Sequence, residues 1–505
     1  MRVVAAKRCE HGSVTQADPT RSPKSSARRA VGNTLWLLIG DGVAKLAGFA
    51  FIVIVARGLG TIEYGYFNLA ISVVPLFLVI GVWGLNDALF NELSRDRERL
   101  SELFSSGVLL RVALGVVTLI AAVLTAPLLL EDRDGIFAFA LVAAALLFDE
   151  LATFVGIVFK AFEQTRYRAL TILVNRMLTT GLAIVALLAG AGIVGVAATY
   201  LLGSLGGLIF AGAAMRRRFP PIAWPHRSGE TMRWLLARGT PLAIAGILNM
   251  AVFRIDTVML QVMKGPVAVA MYGIAYRFLD SFLFVAWALG SVALPRMARA
   301  GRGPQTRETL QMAVALVLVF YLPLAVGALF ASDWAVATLF GDRYGPAAAA
   351  VFWLMAAAVA YAVTYLARMA SLALGERRAI AWIAGLALVF NLSLNAIAIP
   401  RWGFQGAAVV TFATGTLEAL LLVGLVLRSS DPGRPRRMLW VPVGAAGVMA
   451  ATLGSTGLRD GAAILAGGVI YAAALPLIAR LFAADETRQA LGLLRPRSDP
   501  GAAES

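Results

Sequence analysis

Ionisable and amide side chains lie inside long apolar stretches of this chain, where each is a candidate functional group. A charge at the centre of a membrane helix costs about 2.5–3.5 kcal/mol on insertion scales, so it is seldom kept without a role. The basic members could bind an anion such as phosphate, whose oxygens match the donors of Arg and Lys. The set comprises Asp41, Lys45, Asp87, Arg111, Asp149, Glu150, Asn175, Arg176, Asn249, Arg254, Asp256, Arg277, Asp280, Arg368 and Glu418.

Each of these charges also has a structural interpretation. A base and an acid close together in the chain can neutralise each other, and residues three or four apart lie on one helix face. Arg111, Arg176 and Arg368 could instead extend to the edge of the membrane and leave only their stems in lipid. Three local pairs are available: Asp41–Lys45, Arg254–Asp256 and Arg277–Asp280.

The elements that carry these residues are predicted to be membrane-spanning helices. Hydrophobic residues make up 59% of the 505 residues and charged residues 15%, too little polar surface to cover a soluble protein of this size. A spanning helix needs about 20 apolar residues. Fourteen stretches qualify: 34–56, 66–90, 104–130, 136–159, 167–189, 193–214, 239–262, 268–294, 309–331, 346–370, 379–400, 403–427, 438–456 and 461–483.

The net charge of +16 is distributed in an alternating pattern. Arg and Lys collect in every second connection, whereas intervening loops such as 131–134 are nearly neutral or acidic. Membrane proteins keep their basic loops in the cytoplasm, so the pattern predicts that both termini are cytoplasmic and the number of spans is even. A nucleic-acid-binding surface would be contiguous, and this alternation argues against one.

Weak internal similarity predicts a repeated architecture. The segments around Tyr64 and Tyr272, Gly195 and Gly406, and Glu163 and Glu376 match at offsets of 208, 211 and 213 residues, which follow from their positions. Two parallel six-helix lobes with a substrate site between them are typical of such repeats. The predicted organisation is a basic cytoplasmic tail 1–33, an N-lobe 34–214, a basic loop 215–238, a C-lobe 239–428, a linker 429–437, a helix pair 438–483 and a second cytoplasmic tail 484–505.

Several short motifs resemble those of one known family. Segments 56–60 and 64–67 are similar to its first two helices, and segments 254–257 and 275–277 to its seventh and eighth. Over about residues 30–430 the chain resembles the Wzx-type polysaccharide-biosynthesis flippases, a branch of the multidrug/oligosaccharidyl-lipid/polysaccharide exporter superfamily. Further landmarks of that family match segments 81–88, 340–344 and 391–408.

This resemblance implies a V-shaped carrier in the inner (plasma) membrane that works by alternating access. The implied cargo is a polyprenyl-diphosphate-linked oligosaccharide, a repeat unit of O-antigen, exopolysaccharide or capsule, moved from the cytoplasmic to the outer leaflet. The cations expected to bind the diphosphate flank the predicted seam between the lobes: Lys45, Arg57, Arg254 and Arg277. The acids expected to support them or to carry a coupling ion are Asp41, Asp87, Asp256 and Asp280.

Two other classes of protein remain open at this stage. One is a drug or cation antiporter of the same superfamily, and the other is a membrane glycosyltransferase, polymerase or ligase. An enzyme would need a sizeable external loop or a carboxylate cluster, and no phosphate-loop motif for ATP occurs in the sequence. One Cys and two His predict no metal site and no cofactor. The expected unit is a monomeric transporter, with a polymerase and glycosyltransferases of the same pathway as partners.

Overall fold

The computed structural model describes residues 42, 45–219, 228–431 and 437–482, with the backbone alone at residue 245. All regular structure within these ranges is helical. The first helix, α1, is described over 45–58. The others are α2 Thr61–Val82, α3 Leu85–Arg95, α4 Leu100–Leu129, α5 Arg133–Ala161, α6 Thr165–Leu188, α7 Ile193–Arg218, α8 Gly229–Lys264, α9 Pro266–Phe282, α10 Phe284–Ala300, α11 Pro304–Phe340, α12 Ala348–Ala373, α13 Arg377–Ser429, α14 Trp440–Thr456 and α15 Asp460–Phe482.

Twelve helices in the described ranges are long and apolar enough to cross a membrane. This confirms the prediction of an all-helical, multi-pass membrane protein. One of the twelve, α13, has 53 residues and a non-helical conformation at Gly403, so it consists of two segments, 377–402 and 404–429. The described part of α1 is too short to be included. The number fourteen remains a prediction, and the tails 1–33 and 484–505 lie outside the described residues.

One predicted span is broken. The stretch 66–90 divides into α2 and α3, because Trp83 and Gly84 adopt left-handed backbone conformations with φ of 41° and 66°. Arg111 lies beside this break and donates to the Val82 carbonyl at 3.3 Å. The helices α9 and α10 form one continuous span, 266–300, since Leu283 between them keeps a right-handed helical conformation.

The helices pack into two large groups and one pair. In the first group α2, α4, α5, α6 and α7 pack on one another, and in the second α8 to α13 do so. The helix α2 also packs against α8 and α9, and so joins the two groups. The pair α14 and α15 packs on α11, at the edge of the second group.

Apolar side chains cover the outward faces of the bundle. Leu128 of α4, Leu188 of α6 and Trp382 of α13 are 81%, 84% and 78% exposed. A soluble protein would bury such residues, whereas the hydrocarbon of a bilayer solvates them. The core contains rings and small residues, with Tyr64, Phe67, Tyr272 and Tyr344 fully buried.

Arg111 does not extend to the membrane edge, so this structural option is wrong for it. Its side chain is 1% exposed and forms an ion pair with Glu150 of α5. The guanidinium also donates to the Glu150 carbonyl at 3.3 Å and lies over the Phe154 ring. Because a buried charge needs a partner, this pair holds α4, α5 and the end of α2 in register.

Candidate functional site: a basic cavity between two helix groups

A cavity of about 1020 Å³ lies between the two large helix groups. One wall comes from α1, α2, α5, α6 and α7, and the other from α8, α9, α10 and α12. Among the described residues that line it, six are basic and one, Asp280, is acidic. Such an excess of cations attracts anions and repels cations. The six basic residues are Lys45, Arg168, Arg176, Arg254, Arg277 and Arg368.

Two of the predicted cations meet at one carboxylate. Arg254 of α8 donates to Asp280 Oδ2 at 3.4 Å, and Arg277 Nη1 lies 3.9 Å from the same oxygen. The Arg254 guanidinium also lies over the Tyr276 ring, 5.0 Å from its centroid. Both guanidiniums line the cavity. One acid between two bases leaves a net positive charge on the cavity wall.

Asp256 does not pair with Arg254, so this local pair from the sequence is wrong. Its side chain is buried and accepts hydrogen bonds from the Thr257 amide at 2.7 Å, from the Tyr272 hydroxyl and from Thr411 Oγ1 at 3.3 Å. The carboxylate therefore joins α8, α9 and α13 behind the cavity wall. It does not appear among the residues that line the cavity.

Two other predicted residues, Lys45 and Asp87, lie apart from this pair of arginines. Lys45 is exposed at one end of the cavity, with its Nζ 5.3 Å from the centroid of the Trp287 ring. Trp287 is itself 50% exposed, so the cavity is open at this end. Asp87 is exposed on α3 and does not line the cavity. Asp41 lies outside the described residues.

Arg57 lies at the opposite end, where the two helix groups close over the cavity. Its Nε donates to the Leu339 carbonyl at 2.8 Å, and its Nη2 donates to the Thr338 carbonyl. Both acceptors belong to the last turn of α11. Arg343 and Tyr344, in the 3-10 turn that follows α11, donate to carbonyls at the end of α1. This end is called the closed end below, and the other the open end.

Two cavity arginines were interpreted from sequence as residues that could extend to the membrane edge, and the structure places them elsewhere. Arg368 of α12 lines the cavity and forms an ion pair with the buried Glu418 of α13. Arg176 lines the cavity from α6, next to Asn175, which donates to Asp149 Oδ1 at 2.6 Å. The sequence could have predicted a partner for Arg368, because Glu418 has no basic neighbour in its own segment and needs one from another helix.

The arrangement is suited to binding an anion. A guanidinium presents five donors in a planar fork that matches two oxygens of a phosphate. In the part of the chain that the structure describes, no three His, Cys, Asp or Glu side chains form a group able to hold a metal ion.

Solved structures with the same fold are membrane transporters. The lipid II flippase MurJ, in an inward closed conformation, is similar with a TM-score of 0.73 at 15% identity, over 88% of this chain and 99% of that one. A multidrug-resistance transporter of the MATE family in an inward-facing conformation gives 0.63 at 14% identity, over 79% and 100%. A mutant of the Vibrio cholerae MATE transporter VcmN gives 0.55 at 18% identity, over 81% and 98%.

The sequence comparisons agree with this fold and with the resemblance found from short motifs. No curated protein matches the chain by sequence. The family model described as "Polysaccharide biosynthesis protein" matches residues 30–300, which is more than half of the chain. The chain, whose helical bundle shares the fold of these transporters, therefore belongs to the polysaccharide biosynthesis protein family.

Proposed function

We propose that this protein is a flippase for a polyprenyl-diphosphate-linked oligosaccharide. It would bind the cargo from the cytoplasmic leaflet of the inner (plasma) membrane and release it in the outer leaflet. The observation that carries the proposal is the lining of the cavity, in which basic side chains outnumber acidic ones even after Arg368 is counted with its partner Glu418. A diphosphate is the part of such a cargo that needs cations, and Arg254, Arg277 and Lys45 are the residues assigned to it.

The basic lining of the cavity, rather than its size, supports a diphosphate-linked saccharide as cargo. Its volume of about 1020 Å³ lies at the upper end of the range of about 300–1,000 Å³ that is usual for ligand pockets. A sugar hydroxyl costs about 4–8 kcal/mol to transfer from water to hydrocarbon without a partner. The saccharide would therefore occupy the polar cavity while the polyprenyl tail stays in the bilayer.

Alternating access is the mechanism we assign. The open end, with Lys45 and Trp287, would face the cytoplasm, in agreement with the basic loops predicted on that side. The contacts of Arg57 and Arg343 close the opposite end. For release, the two helix groups would rock so that the closed end separates and the open end closes around the same cations.

A drug or cation antiporter of the same superfamily is the alternative. The MATE transporters share the fold, but a cavity with a net excess of arginine disfavours a cationic drug. Nothing in the lining offers the excess of acid that such a ligand would need. We therefore place this function second.

Reconstitution in liposomes separates the two functions. The purified protein would be given a fluorescent polyprenyl-diphosphate oligosaccharide, a polyprenol analogue without the diphosphate, and a cationic dye. We expect transfer of the diphosphate lipid alone between leaflets, and loss of this transfer in Arg254→Ala. Transport of the dye without binding of the diphosphate lipid would establish the antiporter instead.

A further inference from the structure

A buried amide of α2 contacts the second helix group next to the cavity. Asn68 is 2% exposed, and its Nδ2 donates to the Val269 carbonyl of α9 at 3.2 Å. Its Oδ1 accepts a hydrogen bond from Arg277 Nη2 at 3.1 Å. The amide fits because residue 273 is glycine: a Cβ there would lie 2.1 Å from Asn68 Nδ2.

The backbones of α2 and α9 also lie close together nearer the closed end, along the seam between the two helices. One turn before Asn68, a Cβ at Gly65 would lie 2.1 Å from the Pro266 carbonyl oxygen. Two backbones can approach this closely only where a side chain is absent on one of them. The seam therefore brings the first helix group directly onto the helix that carries Arg277.

Arg277 serves two neighbours at once. Its side chain is 19% exposed and lines the cavity, yet its Nη2 is bonded to the other helix group. The nearest carboxylate oxygen, of Asp280, lies 3.9 Å from Nη1. Nη2 carries one hydrogen on each two-donor face of the guanidinium, and Nε, which completes one of these faces, is buried. A phosphate bound in fork geometry therefore takes the face formed by Nη1 and Nη2, and its oxygen approaches the nitrogen to which Asn68 Oδ1 is bonded.

We infer that Asn68 and a bound anion compete for Arg277, and that anion binding thereby loosens the contact between α2 and α9. This inference rests on the proposed function, since it takes the diphosphate to bind at Arg277. A charge-assisted bond to phosphate is stronger than one to a neutral amide oxygen, so the anion wins the competition. Cargo binding and the separation of the helix groups are then linked in the same side chain.

Linkage is reciprocal, and this makes the inference measurable. If the anion weakens the contact of Asn68 with Arg277, removal of that contact must strengthen anion binding. Asn68→Ala should therefore bind the anion more tightly, by about fivefold or more. Asn68→Asp places a carboxylate opposite Arg277 and should bind the anion more weakly by a similar factor. A purely structural role for Asn68 would not move the two variants in opposite directions.

The probe is farnesyl diphosphate, a short polyprenyl diphosphate, titrated into the purified full-length protein by calorimetry. Spin labels at Ile62 of α2 and Val267 of α9, which are both exposed, report the distance across the closed end. In the wild type the probe should lengthen this distance. In Asn68→Ala the distance should already be longer without probe. Ser72→Ala, a buried change on the same helix, is the matched control and should behave as the wild type.

The possible results distinguish a failure of this inference from a failure of the proposed flippase function. Absence of farnesyl diphosphate binding to the wild type would overturn both. Normal binding with an unchanged distance, or an Asn68→Ala protein that binds like the wild type, would overturn the inference and leave the flippase in place. Gly273→Ala offers a second route, because its Cβ displaces Asn68 from the α9 side, and it should reproduce the tighter binding of Asn68→Ala.

Discussion

Arg57, at the end of α1, and Arg343, just after α11, each donate hydrogen bonds to the helix end beside the other. The Arg57 side chain donates to the last carbonyls of α11, and Arg343 Nη2 donates to the Arg57 carbonyl at 2.8 Å. A second bond runs from Arg343 Nη1 to the Leu59 carbonyl at 3.0 Å. The last carbonyls of a helix lack partners in their own helix and carry its negative partial charge, so two arginines satisfy two helix ends across the interface.

Removal of both arginines should open the closed end. We expect Arg57→Ala combined with Arg343→Ala to lengthen the distance between spin labels at Ile62 and Val267, because hydrogen bonds to a charged donor are each worth about 1.5–3 kcal/mol. Arg133→Ala, an exposed arginine at the start of α5 near the same end, is the control. An unchanged distance in the double variant would show that other contacts hold this end closed.

Arg254 should be required for transport. Arg254→Ala removes a fork that is worth about 1.5–3 kcal/mol, so flipping of a labelled lipid-linked saccharide should fall by about tenfold or more. Arg254→Lys keeps the charge without the fork and should retain partial activity. Membrane abundance is measured alongside, and Glu98→Gln, which is exposed and outside the cavity, serves as the control. Wild-type transport by Arg254→Ala at normal abundance would remove this residue from the mechanism.

Asp280 should act as a competitor of the cargo. Its carboxylate is shared by Arg254 and Arg277, and an anion must displace it from one or both. Asp280→Asn should therefore bind farnesyl diphosphate more tightly than the wild type, by about fivefold. Binding that becomes weaker would indicate instead that Asp280 holds the arginines in their binding geometry.

Arg111 should matter for stability rather than for binding. Arg111→Met leaves the half-buried Glu150 without its partner, which should lower the free energy of unfolding by about 1–3 kcal/mol. Glu150→Gln in the same chain should restore part of this loss. Thermal unfolding in detergent measures the stability of the single and the double variant. Titration with farnesyl diphosphate should show that the folded fraction of each binds with unchanged affinity. Equal stability of the single and double variants would contradict the assignment.

The orientation is testable with reporter fusions. Fusions after Arg97 and Arg217 should report the cytoplasm, and fusions after Asp134 and Asp342 should report the outside. The reasons are the alternation of basic loops and the alternation of helix direction from α4 onwards. A reversed result at two of these sites would place the open end of the cavity on the outside. It would contradict the proposed direction of transport.

Composition and periodicity predict the helical membrane fold well, because apolar length alone determines whether a segment crosses a bilayer. The break between α2 and α3 could not be predicted in the same way. Trp83 is in a left-handed conformation that its residue type does not favour, and the contact of Gly239 with this break comes from another helix. Local sequence carries no information about such a neighbour.

The sequence predicted basic residues of the candidate site, but it did not predict every acid that pairs with them. Arg254 and Arg277 do line the cavity, as expected of intramembrane charges. Sequence spacing suggested Asp256 as the partner of Arg254, but residues two apart on a helix point in different directions, and Asp280 of the next helix takes this place. Arg57 is an arginine like those of the cavity, yet it lies at the closed end. Residue type does not reveal where along the cavity a side chain lies, because the packing of the helices determines that position.

The closed end is held through acceptors that every amino acid possesses. Thr338, Leu339 and Leu59 contribute main-chain oxygens, which remain when the side chains change. The side chains at these three positions should vary freely among relatives, whereas the two arginines that donate to these oxygens should be conserved. Pairwise covariation would then give no signal at this interface, and methods that infer helix contacts from correlated substitutions would miss this polar link between the two helix groups.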